Sequence, residues 1–178
     1  MPAAFLAAVL LSPTTQGNPF TDFATLKSAV DQCSSSGQAL CSYSGTSISN
    51  WNVAGITTLY DTGTFSGLFE DYALFNEDIG NWNVAQVTQM DSTFENCTGF
   101  NQDIGNWNVG RATRMYEMFY EATNFNGDLS KWDTAAVTTL SSMFERASNF
   151  NGDVSTWNTA QVTYMQNVFF GAESFNGN

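Results

Sequence analysis

The stretch FNQDIGNWN, residues 100–108, decides the fold because close copies of it recur along the chain. FNGDLSKWD begins at Phe125, and FNGDVSTWN begins at Phe150. A period in the range of about 20–50 residues is typical of repeat architectures, in which each copy buries its apolar side chains against its neighbours. Two aromatic columns recur with a period of 25 residues after the first cycle: Trp51, Trp82, Trp107, Trp132 and Trp157, and Phe69, Phe94, Phe119, Phe144 and Phe169.

Two patterns alternate within one repeat. Met115, Met118, Phe119 and Ala122 are spaced i, i+3, i+4 and i+7, which predicts one face of a short helix. The preceding stretch VGRATRM favours an extended strand, and the Asn-Gly pairs favour turns. Stacked copies would align in a parallel sheet at about 4.8 Å, so that equivalent aromatic rings pack offset and edge-on. The sequence therefore predicts an α/β solenoid of about five 25-residue coils, with a short parallel sheet and short helices.

The consensus FNxDIxxWNVxxVTxMxxMFxxA resembles the BspA-like repeat of bacterial surface proteins, mycoplasma lipoproteins and many algal and protist proteins, which is classed with leucine-rich repeats. The resemblance covers residues 45–178 and implies a right-handed leucine-rich-repeat-like solenoid that acts in adhesion or protein binding. Residues 18–44 resemble the helical lead-in of algal members, and their apolar spacing fits a short capping helix. The expected organisation is an apolar N-terminal segment (1–17), a helical cap (18–44) and a repeat domain (45–178).

The charge balance excludes several classes of function. Seventeen acidic residues against five basic ones give a net charge of −12, which argues against nucleic-acid binding and against docking on anionic lipid. The chain has no His, no nucleophile-elbow serine and no phosphate-binding glycine loop. We therefore expect no enzyme activity and no cofactor.

The N-terminal segment MPAAFLAAVLLSPTTQG has an apolar run from Ala3 to Leu11. That run is too short for a bilayer, which needs about 20 residues, and no direct membrane span is expected. It resembles the core of a secretory or thylakoid-transfer signal without the preceding Lys or Arg, and the alternative is a retained segment that packs against another surface. With the neutral-polar composition, it predicts a secreted or cell-surface protein, or one in an organelle lumen such as the thylakoid lumen.

The three cysteines are too few for a disulfide framework. Cys33 and Cys41 flank a Ser/Gly-rich loop and are a candidate disulfide. Cys97 occupies a column that otherwise holds alanine, which predicts a small buried apolar filler.

Two polar ladders have a structural and a functional interpretation. The carboxylates of the Asn-x-Asp pairs could bind Ca²⁺, or they could cap turns, which we favour. The threonine that recurs in every cycle could form a flat ice-binding row. Ice-binding solenoids present a Thr-x-Thr strip, however, and here the second position holds Met or Leu. The residues concerned are Asp78, Asp103, Asp128 and Asp153, and Thr57, Thr88, Thr113, Thr138 and Thr163.

Positions that vary between repeats are the natural candidates for a contact surface, because repeat proteins vary the residues that set specificity. We expect a non-catalytic protein-binding or scaffold module. The alternative is an accessory structural subunit of a larger membrane assembly, such as an algal photosystem, docked through the aromatic side chains of the last repeat. The candidate contact residues are Gln86, Gln89, Arg111, Arg114, Gln161 and Tyr164, and the candidate docking end is Phe169, Phe170 and Phe175.

Overall fold

A computed structural model describes residues 20–35, 42–43 and 45–177 of the chain. Within these residues the regular structure is one α-helix, one short 3₁₀-helix and two small sheets, each of two antiparallel strands. The elements in chain order are α1 (Phe23–Ser35), β1 (Ser42–Tyr43), β2 (Thr46–Ser47), the 3₁₀-helix Ile48–Asn50, β3 (Tyr60–Asp61) and β4 (Ser66–Gly67).

The predicted fold class, a right-handed α/β solenoid with a short parallel sheet and short helices, is wrong. In the part of the chain that the structure describes, the α-helix precedes the repeats, and β1–β2 and β3–β4 pair antiparallel. Among the described residues, parallel pairing between repeats is limited to isolated bridges that never extend into strands. These bridges join Thr58 to Gln89, Gln89 to Arg114, Arg114 to Thr139, and Thr139 to Tyr164.

The predicted repeat helices are replaced by turns because the backbone bonds across repeats instead of along a helix. Glu117 and Glu121 have φ values of 54° and 53°, which no right-handed helix contains. The N–H of Glu117 donates to the Ser141 carbonyl, and the N–H of Phe119 donates to the Met143 carbonyl. The side-chain pattern still identified buried positions correctly, since Met115, Met118, Phe119 and Ala122 are fully buried.

Aromatic rings at equivalent positions pack on one another, as the sequence predicted, but with nearly parallel planes rather than edge-on. The Phe119 ring lies 5.5 Å from Phe94 and 5.4 Å from Phe144, and 4.1 Å from Phe125, which follows it in the chain. Stacked ring pairs contribute about 0.5–1.5 kcal/mol each beyond the burial of their area. The indole of Trp107 donates its Nε1–H to a backbone carbonyl of the preceding repeat, so its polar edge is satisfied in the core.

The helix α1 covers the start of the repeats. The side chain of Asp22 caps the helix by accepting the Thr25 N–H at 2.8 Å, which lowers the pKa of Asp22. Leu26 is fully buried beneath the helix. On the outer face, Lys27 Nζ donates to the Tyr72 hydroxyl at 2.9 Å and pairs with Asp31, so these polar contacts join the helix to the first repeat.

The extra residues of the first repeat form the β3–β4 hairpin. Asp61 Oδ1 accepts the Gly63 N–H in its turn, and Phe65 at the tip is 74% exposed. A Cβ on Gly67 would lie 1.9 Å from the Ser92 carbonyl oxygen, so glycine is required where the hairpin returns against the next repeat.

Candidate functional site

The six predicted contact residues fall into two neighbouring columns on the surface, which we call the variable face (Gln86, Gln89, Arg111, Arg114, Gln161 and Tyr164). One column contains Gln89, Arg114 and Tyr164, which the parallel bridges tie together through Thr139. Tyr164 is 61% exposed and Arg114 is exposed, whereas Gln89 is half-buried. The structure therefore brings these three varied side chains into one row across four repeats.

The second column of the variable face contains Gln86, Arg111 and Gln161, all of them exposed. Arg111 Nη1 donates to Gln86 Oε1 at 2.6 Å, so adjacent repeats present this cation and amide as a pair. The two columns flank the threonine ladder. Each ladder hydroxyl from Thr88 onward donates to the backbone carbonyl of the preceding threonine, at 2.9–3.2 Å.

Arg114 is anchored by a buried carboxylate that the sequence analysis missed. Asp91 is fully buried, and its Oδ2 accepts the Arg114 Nε–H at 2.6 Å while its Oδ1 accepts the Tyr116 N–H at 2.8 Å. A buried carboxylate is tolerated only when its oxygens are paired in this way. The sequence sets Asp91 apart because the equivalent positions of the later repeats carry no acidic residue. These positions are Tyr116, Ser141 and Gln166.

Beside the variable face lies a group of carboxylates that the sequence analysis also missed. Burial raises the pKa of Glu95 to about 7, with the negative charges of Glu70, Glu117 and Asp71 acting in the same direction. A hydrogen bond to Glu117 is the main cause that raises the pKa of Tyr116 to about 12. This side of the molecule therefore repels further negative charge.

The Asn-x-Asp carboxylates cap turns, as in the favoured structural interpretation. Oδ1 of each Asp accepts the N–H two residues later, at 2.9–3.0 Å. The same hydrogen bonds to Ser130 and Ser155 lower the pKa of Asp128 and Asp153. Among the described residues, no three His, Cys, Asp or Glu side chains are grouped as they would be around a metal ion. Asp103 and Asp128 instead line a shallow polar depression of about 270 Å³ with Lys131.

The predicted docking end is partly exposed. Phe170 is 62% exposed, while Phe169 and Phe175 are half-buried and stack 3.8 Å apart. Met165 is 48% exposed, although its counterpart Met115 is fully buried. Met165 is thus exposed at a position that is buried in the preceding repeats, where it is occupied by Met90, Met115 and Leu140.

The structure describes two of the three cysteines, Cys33 and Cys97. Cys33 is disulfide-bonded, but Cys41 lies outside the described residues, so the pairing stays a prediction. Cys97 is a free, fully buried thiol whose Sγ donates to the Phe69 carbonyl, and burial raises its pKa. The N-terminal segment 1–17 also lies outside the described residues. In the described part of the chain, no helix has the length and apolar character to span a membrane.

A comparison with protein families identifies a match. A family model described as "Mycoplasma protein of unknown function, DUF285" matches residues 25–135 and 112–178. The two matched ranges together run from within α1 to the last residue. No curated protein and no solved structure matches the chain.

Proposed function

The chain belongs to the DUF285 family, and from that premise we propose that it is a non-catalytic protein-binding or scaffold module of the BspA-like type. The observation that supports this proposal is the variable face, where the 25-residue period brings residues that differ between repeats into two surface columns, of which every named residue but Gln89 is exposed. A secreted, cell-surface or organelle-lumen setting is part of the same proposal.

The chemistry of the variable face suits a protein partner. Tyr164 offers a large amphipathic side chain, and Arg111 offers a planar cation whose hydrogen bond to Gln86 fixes its position. Tyrosine and arginine are enriched among residues that dominate binding energy at protein interfaces. Arg114 is less suitable for substitution, because removing it would leave the buried Asp91 carboxylate without its ion pair.

The double substitution Arg111→Ala with Tyr164→Ala tests the proposal without disturbing the core. The immobilised chain would be exposed to extract from its source, and captured proteins would be identified, purified and titrated against both forms. We expect the double variant to bind the purified partner about tenfold more weakly or worse.

The matched control is Lys131→Ala with Phe65→Ala, which also removes one exposed cation and one exposed aromatic ring, but outside the variable face. It should retain the affinity of the unmodified chain. Equal losses in both double variants, or no saturable partner for the unmodified chain, would contradict binding through the variable face.

A second candidate is an accessory structural subunit of a larger assembly, docked through Phe169, Phe170 and Phe175. The observation that favours it is the exposure of two large apolar side chains, Phe170 and Met165, near the candidate docking residues. Sedimentation of the isolated chain should show association that rises with concentration and is relieved by Phe170→Ser with Met165→Ser. A chain that stays monomeric at every concentration would argue against this candidate.

A further inference from the structure

The asparagine of each Phe-Asn pair forms a column of exposed side chains. Each Oδ1 accepts the backbone N–H of the asparagine one repeat later, at 2.8–2.9 Å. The residue that follows the asparagine differs along the column and is glycine only in the later repeats. The pairs whose asparagine accepts this bond are Asn76–Glu77, Asn101–Gln102, Asn126–Gly127 and Asn151–Gly152, and Asn176, which precedes Gly177, is the last donor.

We propose that Asn126 and Asn151 are modification sites at which the folded protein deamidates spontaneously. The reaction needs the backbone nitrogen of the next residue to reach the side-chain carbonyl carbon of the asparagine. Glycine has no Cβ to obstruct that approach, whereas Gln102 places a full side chain beside the same atoms.

The contacts around these pairs leave the reacting groups available. Among the described residues, the N–H groups of Gly127 and Gly152 donate no hydrogen bond, and neither do the amide Nδ2 groups of Asn126 and Asn151. The backbone N–H of the next repeat donates to Oδ1 of Asn126 and of Asn151. This hydrogen bond polarises the side-chain carbonyl and stabilises the negative charge that develops on Oδ1 during the attack. The next repeat therefore helps to activate the amide of the preceding one.

Deamidation proceeds through a succinimide and consumes one molecule of water. The Gly127 nitrogen attacks Cγ of Asn126, the new N–Cγ bond forms, and the Cγ–Nδ2 bond breaks. The proton of the Gly127 N–H passes through solvent to the departing nitrogen, which leaves as ammonia. Water then opens the resulting succinimide at either carbonyl, giving aspartate or isoaspartate, and no oxidant or reductant takes part.

The two products affect the column differently. Aspartate keeps an oxygen in the position of Oδ1, so the N–H of the next repeat still has an acceptor. Isoaspartate adds a carbon to the backbone path and displaces the following glycine. A Cβ built on Gly152 would lie only 2.5 Å from the Gly127 carbonyl oxygen, so the repeats already approach closely at this point. The aspartate product should therefore fold like the parent, and the isoaspartate product should be less stable.

Timed incubation of the intact chain at mildly alkaline pH, followed by peptide mapping with mass spectrometry, tests the proposal. We expect amide-to-acid conversion at Asn126 and Asn151 at a rate roughly tenfold or more above that at Asn101, because only glycine leaves the attack unhindered. Circular dichroism before sampling would establish that the chain stays folded. Isoaspartate would be distinguished by an isoaspartate-specific methyltransferase.

Two matched variants exchange the following residue within the column. Gln102→Gly should make Asn101 convert as fast as Asn126, and Gly127→Gln should slow conversion at Asn126 to the rate of Asn101. Since a side chain at residue 127 would crowd the Phe125 ring at 3.0 Å, the first variant is decisive if the second does not fold. Equal rates at Asn101 and Asn126 in the unmodified chain, or an inert Asn101 in Gln102→Gly, would overturn the proposal.

Discussion

At the residue scale, the most unusual group is Glu95, a carboxyl held half-buried near Glu70, Asp71 and Glu117. Burial is the main reason why its pKa is raised from 4.5 to about 7, and the neighbouring negative charges add to the effect. Its hydrogen bond with Ser92 acts in the opposite direction and does not compensate.

The raised pKa of Glu95 predicts that the folded state loses stability as the pH rises. Between about pH 4.5 and 7 the unfolded chain ionises this carboxyl while the folded chain still holds its proton, so the folded state binds more protons. In the parent, the free energy of unfolding should fall by about 1–2 kcal/mol over that pH window, a value reduced because solvent screens a half-buried group. In Glu95→Gln this fall should be absent.

Urea unfolding at a series of pH values measures this effect. Glu77→Gln is the control, because Glu77 is an acidic residue outside this carboxylate group. A Glu95→Gln chain whose unfolding free energy depends on pH as steeply as that of the parent would contradict the assignment.

At the element scale, the turns of each repeat depend on residues with positive φ. Ser92 and Asn96, Glu117 and Glu121, and Ser142 and Arg146 all have φ between 50° and 58°. The last repeat uses Asn167 at 56° and Gly171 at 73° in the corresponding places. Only one of these positions is glycine. At the others, the left-handed backbone conformation costs conformational free energy that a glycine would not pay.

A pair of substitutions in the last repeat tests this cost. Asn167→Gly should stabilise the protein by about 0.5–1 kcal/mol, because glycine adopts the required conformation without strain. Gly171→Ala should destabilise it by about 1–2 kcal/mol, because a non-glycine residue is strained at positive φ. The new Cβ would also lie 3.2 Å from the Arg146 side chain. Melting temperatures that move in the same direction for both variants would refute the explanation.

The sequence could not reveal these turns because its apolar spacing is equally compatible with a helix. Met115, Met118, Phe119 and Ala122 are all buried, as an i, i+3, i+4, i+7 pattern requires. The decisive information is where the backbone N–H groups bond. The Phe119 N–H reaches Met143 in the next repeat, while the Met118 N–H closes a turn onto Met115. Alternation of these two kinds of bond prevents a continuous helical ladder.

At the scale of the whole molecule, stability should be unevenly distributed along the repeats. Phe119 stacks on Phe94, Phe125 and Phe144 and is fully buried, so it has neighbours on both sides. Phe169 also contacts neighbouring rings, but it is only half-buried.

This difference predicts unequal costs for the same truncation. Phe119→Ala should cost about 3–5 kcal/mol, the usual range for a buried phenylalanine, whereas Phe169→Ala should cost about 1–3 kcal/mol. Guanidinium unfolding of both variants gives the comparison, and unchanged m-values would show that both still unfold as the parent does. Equal costs would mean that the last repeat is as well packed as the third.

The sequence by itself determined the 25-residue period, the buried aromatic columns and the capping role of the Asn-x-Asp turns, because these depend on side-chain type and local hydrogen bonding. It also placed the varied residues Arg114 and Tyr164 in one column. Only the tertiary structure decided the backbone path and the pairing of Arg114 with the buried Asp91. The reason is that these bonds join residues 23–25 positions apart, so their partners are defined only once one repeat lies against the next.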